Sequence, residues 1–112
     1  MHSRTFFTYI LASGPCGNLY VGMTNDRARR VAEHKAGLFD RYTAELGIDR
    51  LVWFEEHRYV NDAIAREKRI KRWRRAWKIA LVEERNPHWA DLDPPALEPT
   101  RLPARPSAAR ER

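Results

Sequence analysis

From Asn61 to about Glu84 the chain runs without a glycine or proline, and Val60, Ala63, Ile64, Ile70, Trp73, Trp77, Ala80 and Leu81 recur at three- and four-residue steps. That is the period of one helix face, and a helix with a single apolar face must lay it on another layer. The rest of the chain offers a sheet for it. Residues 5–12 and 19–24 are β-branched and aromatic and read as strands, with 13–18 (Ser, two Gly, Pro and Asn) as the turn of a hairpin. A third strand is expected over 49–57, centred on Leu51-Val52-Trp53-Phe54. Asn25 or Asp26 can cap a helix running to about Lys35, with Val31 and Ala32 inward and Ala36-Gly37 at its end. Residues 38–48 read as a loop. The 61–84 run is long for one helix, so a kink or break is expected near Lys71–Arg74, and Asn86-Pro87 stops it. Trp89 and Leu92 can then fold back onto the body. The expected class is α+β.

At 112 residues there is room for one compact domain, placed at 1–92. Five of the seven prolines (Pro94, Pro95, Pro99, Pro103, Pro106) lie in the last 20 residues, which hold almost no large apolar side chains. Residues 93–112 are therefore expected to be a disordered Pro/Arg-rich tail. Cys16 stands alone, which excludes an internal disulfide framework and a thiolate metal cage. No stretch approaches the ~20 apolar residues of a membrane span, and the expectation is a soluble cytoplasmic protein. The formal charge of +6 favours a polyanionic partner.

Four groups of side chains carry chemistry. Tyr9 and Tyr20 lie on the two hairpin strands; a six-residue turn would pair 11 with 18 and 9 with 20, leaving both hydroxyls on one face. Gly22, on the face of Tyr20, would clear space beside that hydroxyl. Arg30 and His34 leave one helix face at i and i+4, joined by Arg27, and a guanidinium fork and an imidazole both suit a phosphate. Glu67 falls within the apolar stripe, between Ile64 and Ile70, where a carboxylate needs a partner. That partner is either a hard cation such as Mg²⁺, which takes one or two carboxylates and keeps its waters, or an arginine, Arg30 being the candidate. Finally, residues 66–78 hold eight basic side chains and one acidic one. Lys68, Lys71, Arg72 and Arg75, with Arg27, are the expected contacts to a nucleic-acid backbone. Trp73 and Trp77, on the stripe, are expected in the core rather than as stacking platforms.

In this order the residues resemble the GIY-YIG nuclease family, in particular its small single-domain bacterial members, over about Phe7 to Leu92. Tyr20-Val21-Gly22 corresponds to the second signature triplet, and Phe7-Thr8-Tyr9 keeps the tyrosine of the first without its Gly-Ile. Thr24-Asn25-Asp26, Arg30, His34, Glu67 in Ala-Arg-Glu-Lys and Asn86 in Asn-Pro-His-Trp follow. The resemblance implies a three-stranded antiparallel sheet flanked by helices and a divalent-metal-dependent endonuclease of low sequence specificity, acting in DNA repair or recombination. It implies Mg²⁺ or Mn²⁺ on Glu67, Arg30 against the phosphate, and Tyr20 or Tyr9 taking a proton from water. His34 would touch a phosphate oxygen or assist the tyrosine, and Asn86 would steady the site. DNA, including single-stranded or branched forms, is the expected partner and a monomer the default. The alternatives are a nucleic-acid-binding module on the same fold without chemistry, or a structural interaction domain.

Overall fold

A computed structural model describes residues 5–93; the expected tail lies outside them from position 94 onward. The elements are β1 (Phe6–Ala12), β2 (Leu19–Thr24), α1 (Arg27–Lys35), α2 (Arg41–Leu46), β3 (Arg50–His57), α3 (Val60–Arg72) and α4 (Arg75–Arg85). The strands form one antiparallel sheet in the order β2-β1-β3, so the architecture is the expected α+β one. Alternation along β1 divides the core in two. Tyr9 and Leu11 pack with Val31, Ile48 and Leu51 under α1, while Ile10 and Ala12 pack with Ile70, Val82 and Trp89 under α3 and α4. Ile10 and Leu11 are fully buried, each contributing ~1.5–3 kcal/mol of apolar burial. A bulge opposite Ile10/Leu11 sets Val52 and Trp53 on one face and Leu51 and Phe54 on the other.

The hairpin turns more tightly than expected. Ser13 N–H donates to the Asn18 carbonyl and Gly17 N–H to Gly14, so the reversal is a four-residue turn. Tyr9 therefore pairs with Gly22, and Tyr20 with Leu11. A shift of two residues keeps both tyrosines on the expected face, because side chains alternate with a period of two.

Two further expectations need correction. Residues 38–48 are not all loop, because α2 occupies Arg41–Leu46. Asp40 caps it through Thr43 N–H, and Gly47 ends it at φ 65°, a conformation glycine adopts without strain. The long helical run does break where expected, with Trp73 and Arg74 extended at ψ 149° and 159°. The break resets the phase of α4. Val82 becomes its buried residue and Trp77 turns outward, 52% exposed, against the expectation that it is core.

Asn86 ends α4 and ties the following turn to the edge strand β3. Its Nδ2 donates to the Val52 carbonyl at 3.0 Å and to Ala90 at 2.9 Å, while Oδ1 accepts from Ala90 N–H at 3.0 Å. Leu92 N–H then reaches the Leu51 carbonyl at 2.7 Å. The expected fold-back of Trp89 is present, since its ring is buried among the α3/α4 core residues.

Candidate active site

The site forms on the α1 face of the hairpin, and His34 is its hub. This imidazole is 3% exposed. Its ring centroid lies 6.1 Å from Tyr9, 5.3 Å from Tyr20 and 4.6 Å from Phe39. Nε2 is 3.3 Å from the Tyr9 hydroxyl, and Nδ1 is 3.1 Å from Thr43 Oγ1. The Thr43 hydroxyl already donates to the Asp40 carbonyl at 3.0 Å. A hydroxyl has one proton, so Thr43 can only accept from His34, and Nδ1 carries the hydrogen. In the neutral ring Nε2 is then the acceptor, and Tyr9 donates to it.

Burial, reinforced by Arg30, lowers the His34 pKa from its ordinary value, which keeps the ring neutral at pH 7. Burial also raises Tyr9, with the Tyr20 phenol adding to the rise and Arg30 opposing it. Tyr9 is 1% exposed and remains a phenol. Tyr20 is half-buried; its pKa is raised by burial and then by Asp40, with Lys71 and Arg30 acting the other way. The negative charge of Glu67 bears on both phenols. The two rings stand 6.3 Å apart. Gly22 is what lets them do so, because a Cβ there would fall 2.6 Å from the Tyr9 hydroxyl and 3.1 Å from Tyr20 Cε2. The space it clears is thus filled chiefly by Tyr9, where the sequence pointed to Tyr20.

Arg30 lies 4.2 Å above the Phe39 ring and donates from Nε to Glu33 at 3.2 Å, with its side chain 21% exposed. Arg30 is therefore not the partner of Glu67. That carboxylate, 17% exposed, meets Lys71 Nζ at 2.9 Å, one turn along α3. Glu67 sits at the margin of the apolar stripe, close enough to solvent for a flexible lysine to reach it. Among the described residues no group of three or more His, Cys, Asp or Glu is arranged to hold a metal ion. A lone carboxylate with water and phosphate oxygens completing the shell is nevertheless a normal way to hold Mg²⁺, so the donor set fits a cation of that kind.

The remaining expected contacts divide. Arg27 rests on Phe54 at 4.0 Å and Phe7 at 5.3 Å, its guanidinium held by aromatic faces. Lys68, Lys71, Arg72 and Arg75 are exposed, with Arg75 donating to the Cys16 carbonyl. Arg66 bonds Glu55 of β3 at 2.9 Å. Asn86 is occupied by backbone groups of β3 and the C-terminal turn, as described above, and so acts on the fold. Thr43, Asp40 and Phe39 were missed at the sequence level. The Asp40-x-x-Thr43 spacing before Gly47, a helix-capping pattern, was the signal that could have found the first two.

The sequence model of the GIY-YIG catalytic domain matches residues 5–80. A UPF0213 protein of Lacticaseibacillus paracasei is 32% identical over 89 residues, which cover 80% of this chain and 99% of that protein. A UPF0213 protein of Staphylococcus aureus is 34% identical over 79 residues, covering 70% and 95% respectively. Among solved structures, the solution NMR structure of a UPF0213 protein from Bacillus halodurans is 30% identical, covers 73% of this chain and 86% of that one, and has a TM-score of 0.47. Among the described residues no helix is long and apolar enough to cross a membrane.

Proposed function

This chain belongs to the GIY-YIG catalytic-domain family, and from that premise we propose that it is a divalent-metal-dependent endonuclease that hydrolyses DNA phosphodiester bonds with little sequence preference. The observation that carries this reading is the convergence on one face of two phenols, a neutral imidazole and a guanidinium, with the Glu67 carboxylate acting on both phenols. Repair or recombination intermediates are the substrates in keeping with the family.

Water attacks phosphorus, its proton passes to a base, and the P–O bond breaks with its electron pair on the leaving oxygen, which takes a proton from solvent water. Tyr20 is the phenol open enough to meet that water; burial and Asp40 hold its pKa up, so it accepts the proton as a phenolate only with added positive charge beside it, which Arg30 and a cation on Glu67 would supply. Tyr9 stays protonated, donates to His34 Nε2 and packs beside Tyr20, fixing where the reactive ring can sit. Arg30 is placed to neutralise charge building on the non-bridging oxygens, exchanging its bond to Glu33 for one to phosphate. Glu67 would hold Mg²⁺ or Mn²⁺, displacing the Lys71 ammonium; the cation would supply a positive charge that stabilises the transition state and lowers phenol and water pKa values.

The test is supercoiled plasmid and single-stranded oligonucleotide incubated with Mg²⁺, Mn²⁺ or EDTA. Cleavage is expected with metal only, and Glu67→Ala and Arg30→Ala should each lower the rate at least ~100-fold, the scale of losing one transition-state electrostatic contact. Their melting temperatures should stay near wild type. Binding without product at any metal concentration would leave a nucleic-acid-binding module in place of the enzyme.

A further inference from the structure

The break between α3 and α4 leaves a surface that the chemistry above does not use. Trp77, one turn into α4, is 52% exposed, and its ring stands edge-on to Trp73 at 6.1 Å and 80°. Trp73 is anchored against the α3/α4 core, so the pair is a fixed aromatic step rather than a loose side chain. Trp73, Trp77, Ala80, Leu81 and Glu84 line a shallow groove of about 280 Å³. That is below the roughly 300–1,000 Å³ of sites that enclose a drug-sized ligand. It has room for one flat ring system.

The groove carries one acidic residue, Glu84, and the chain that leads into it is basic. From Lys68 to Val82 there is no acidic residue, and Lys68, Arg69, Lys71, Arg72, Arg74, Arg75 and Lys78 fall in that stretch. Among the described residues Lys68, Arg69, Arg72 and Lys78 make no ion pair. The Arg74 guanidinium lies over the Trp77 ring, 5.0 Å from its centre, so a cation already sits against one aromatic face. A polyanion with flat rings suits both the exposed ring with its Arg74 cation and the basic stretch leading into α4.

We propose that Trp77, backed by Trp73 and joined by the Arg74 guanidinium, is a stacking platform for an unpaired base of single-stranded nucleic acid. A base in a duplex has both faces covered by its neighbours, so the ring can meet only a strand that is single or locally opened. Glu67 lies six residues before Trp73, less than two turns of helix. Trp77 itself follows the break, on the helix that packs on the sheet face opposite the His34 cluster. The inference rests on the nuclease reading only in taking nucleic acid as the ligand.

The experiment measures binding without turnover. Full-length Glu67→Gln protein in EDTA is titrated into fluorescein-labelled oligo-dT and into a blunt duplex of equal length, with Trp77→Leu and Trp77→Phe made in the same background. Trp77→Leu keeps an apolar groove and removes the ring face; it should weaken oligo-dT binding roughly 5- to 100-fold, the scale of one lost base–aromatic stack. Duplex binding should change less than twofold, and Trp77→Phe should restore most of the oligo-dT affinity. Absence of oligo-dT binding, unchanged affinity in Trp77→Leu, or an equal loss on duplex each overturns the platform. So does a dimer, seen by sedimentation, that Trp77→Leu dissolves, because the groove would then seat a second copy. Plasmid cleavage by the wild-type protein with Mg²⁺ is scored separately, so platform and nuclease can fail independently.

Discussion

His34 has both ring nitrogens committed, one donating to Thr43 and the other accepting from Tyr9, and a proton arriving at Nε2 would reverse the second contact and place a charge inside a buried aromatic cage. The depressed pKa states the same fact as a free energy. Unfolded, the ring titrates near its ordinary ~6.5; folded, it resists protonation to lower pH. The stability this group contributes is complete above the unfolded value and is lost as pH falls from ~6.5 toward the folded value. Urea unfolding at pH 7.5 and pH 5.5 should show a drop for wild type that is smaller in His34→Gln. Equal drops would mean that the ring is not held neutral by the fold. At this scale strand alternation aligned Tyr9 with Tyr20 and helix spacing aligned Arg30 with His34, while the meeting of the two pairs was implied only by the family resemblance. Thr43 was not legible, since its role depends on a hydrogen bond to a helix that local periodicity did not reveal.

Among the elements, α2 and the turn after α4 illustrate why short segments escape pattern reading. Six residues are too few to nucleate a helix on their own; Asp40, Gly47 and the contact with His34 hold α2 in place. The turn at Asn86 likewise exists because β3 presents an open edge, and unpaired edge groups favour a cover. Asn86→Ala would remove the carboxamide from Val52, Ala90 and their backbone partners, leaving buried polar groups unpaired at ~1–3 kcal/mol each. We expect a loss of about 2–3 kcal/mol in urea unfolding and faster amide exchange at Leu92. Cleavage per folded molecule should remain within a few-fold of wild type. A large loss of turnover at unchanged stability would instead place the carboxamide in the chemistry. The α3–α4 break was legible as an overlong helix, but its effect was not, because two extended residues rotate everything after them.

Across the whole molecule the charge of +6 is unevenly spread, with seven basic side chains and no acidic one from Lys68 to Val82. If about four of them meet phosphates, the logarithm of single-strand affinity should fall against the logarithm of salt with a slope near −3, at ~0.7 per phosphate. Arg72→Ala with Arg75→Ala should make that slope shallower by roughly 1.4. Fluorescence anisotropy between 50 and 300 mM salt checks both values. A slope near zero would show that this run of cations does not carry the contact.

The three strands, α1, the broken helical run and the α+β class were written in the order of residues, because each follows from periodicities of two and of three to four; the same periods paired Tyr9 with Tyr20 and Arg30 with His34, and the family resemblance joined the two pairs. The hairpin register, the outward turn of Trp77, the partners of Glu67 and Asn86 and the tautomer of His34 were settled only by folding. Each of these depends on which distant backbone or side-chain group arrives within hydrogen-bonding or packing range, and no local pattern encodes that arrival.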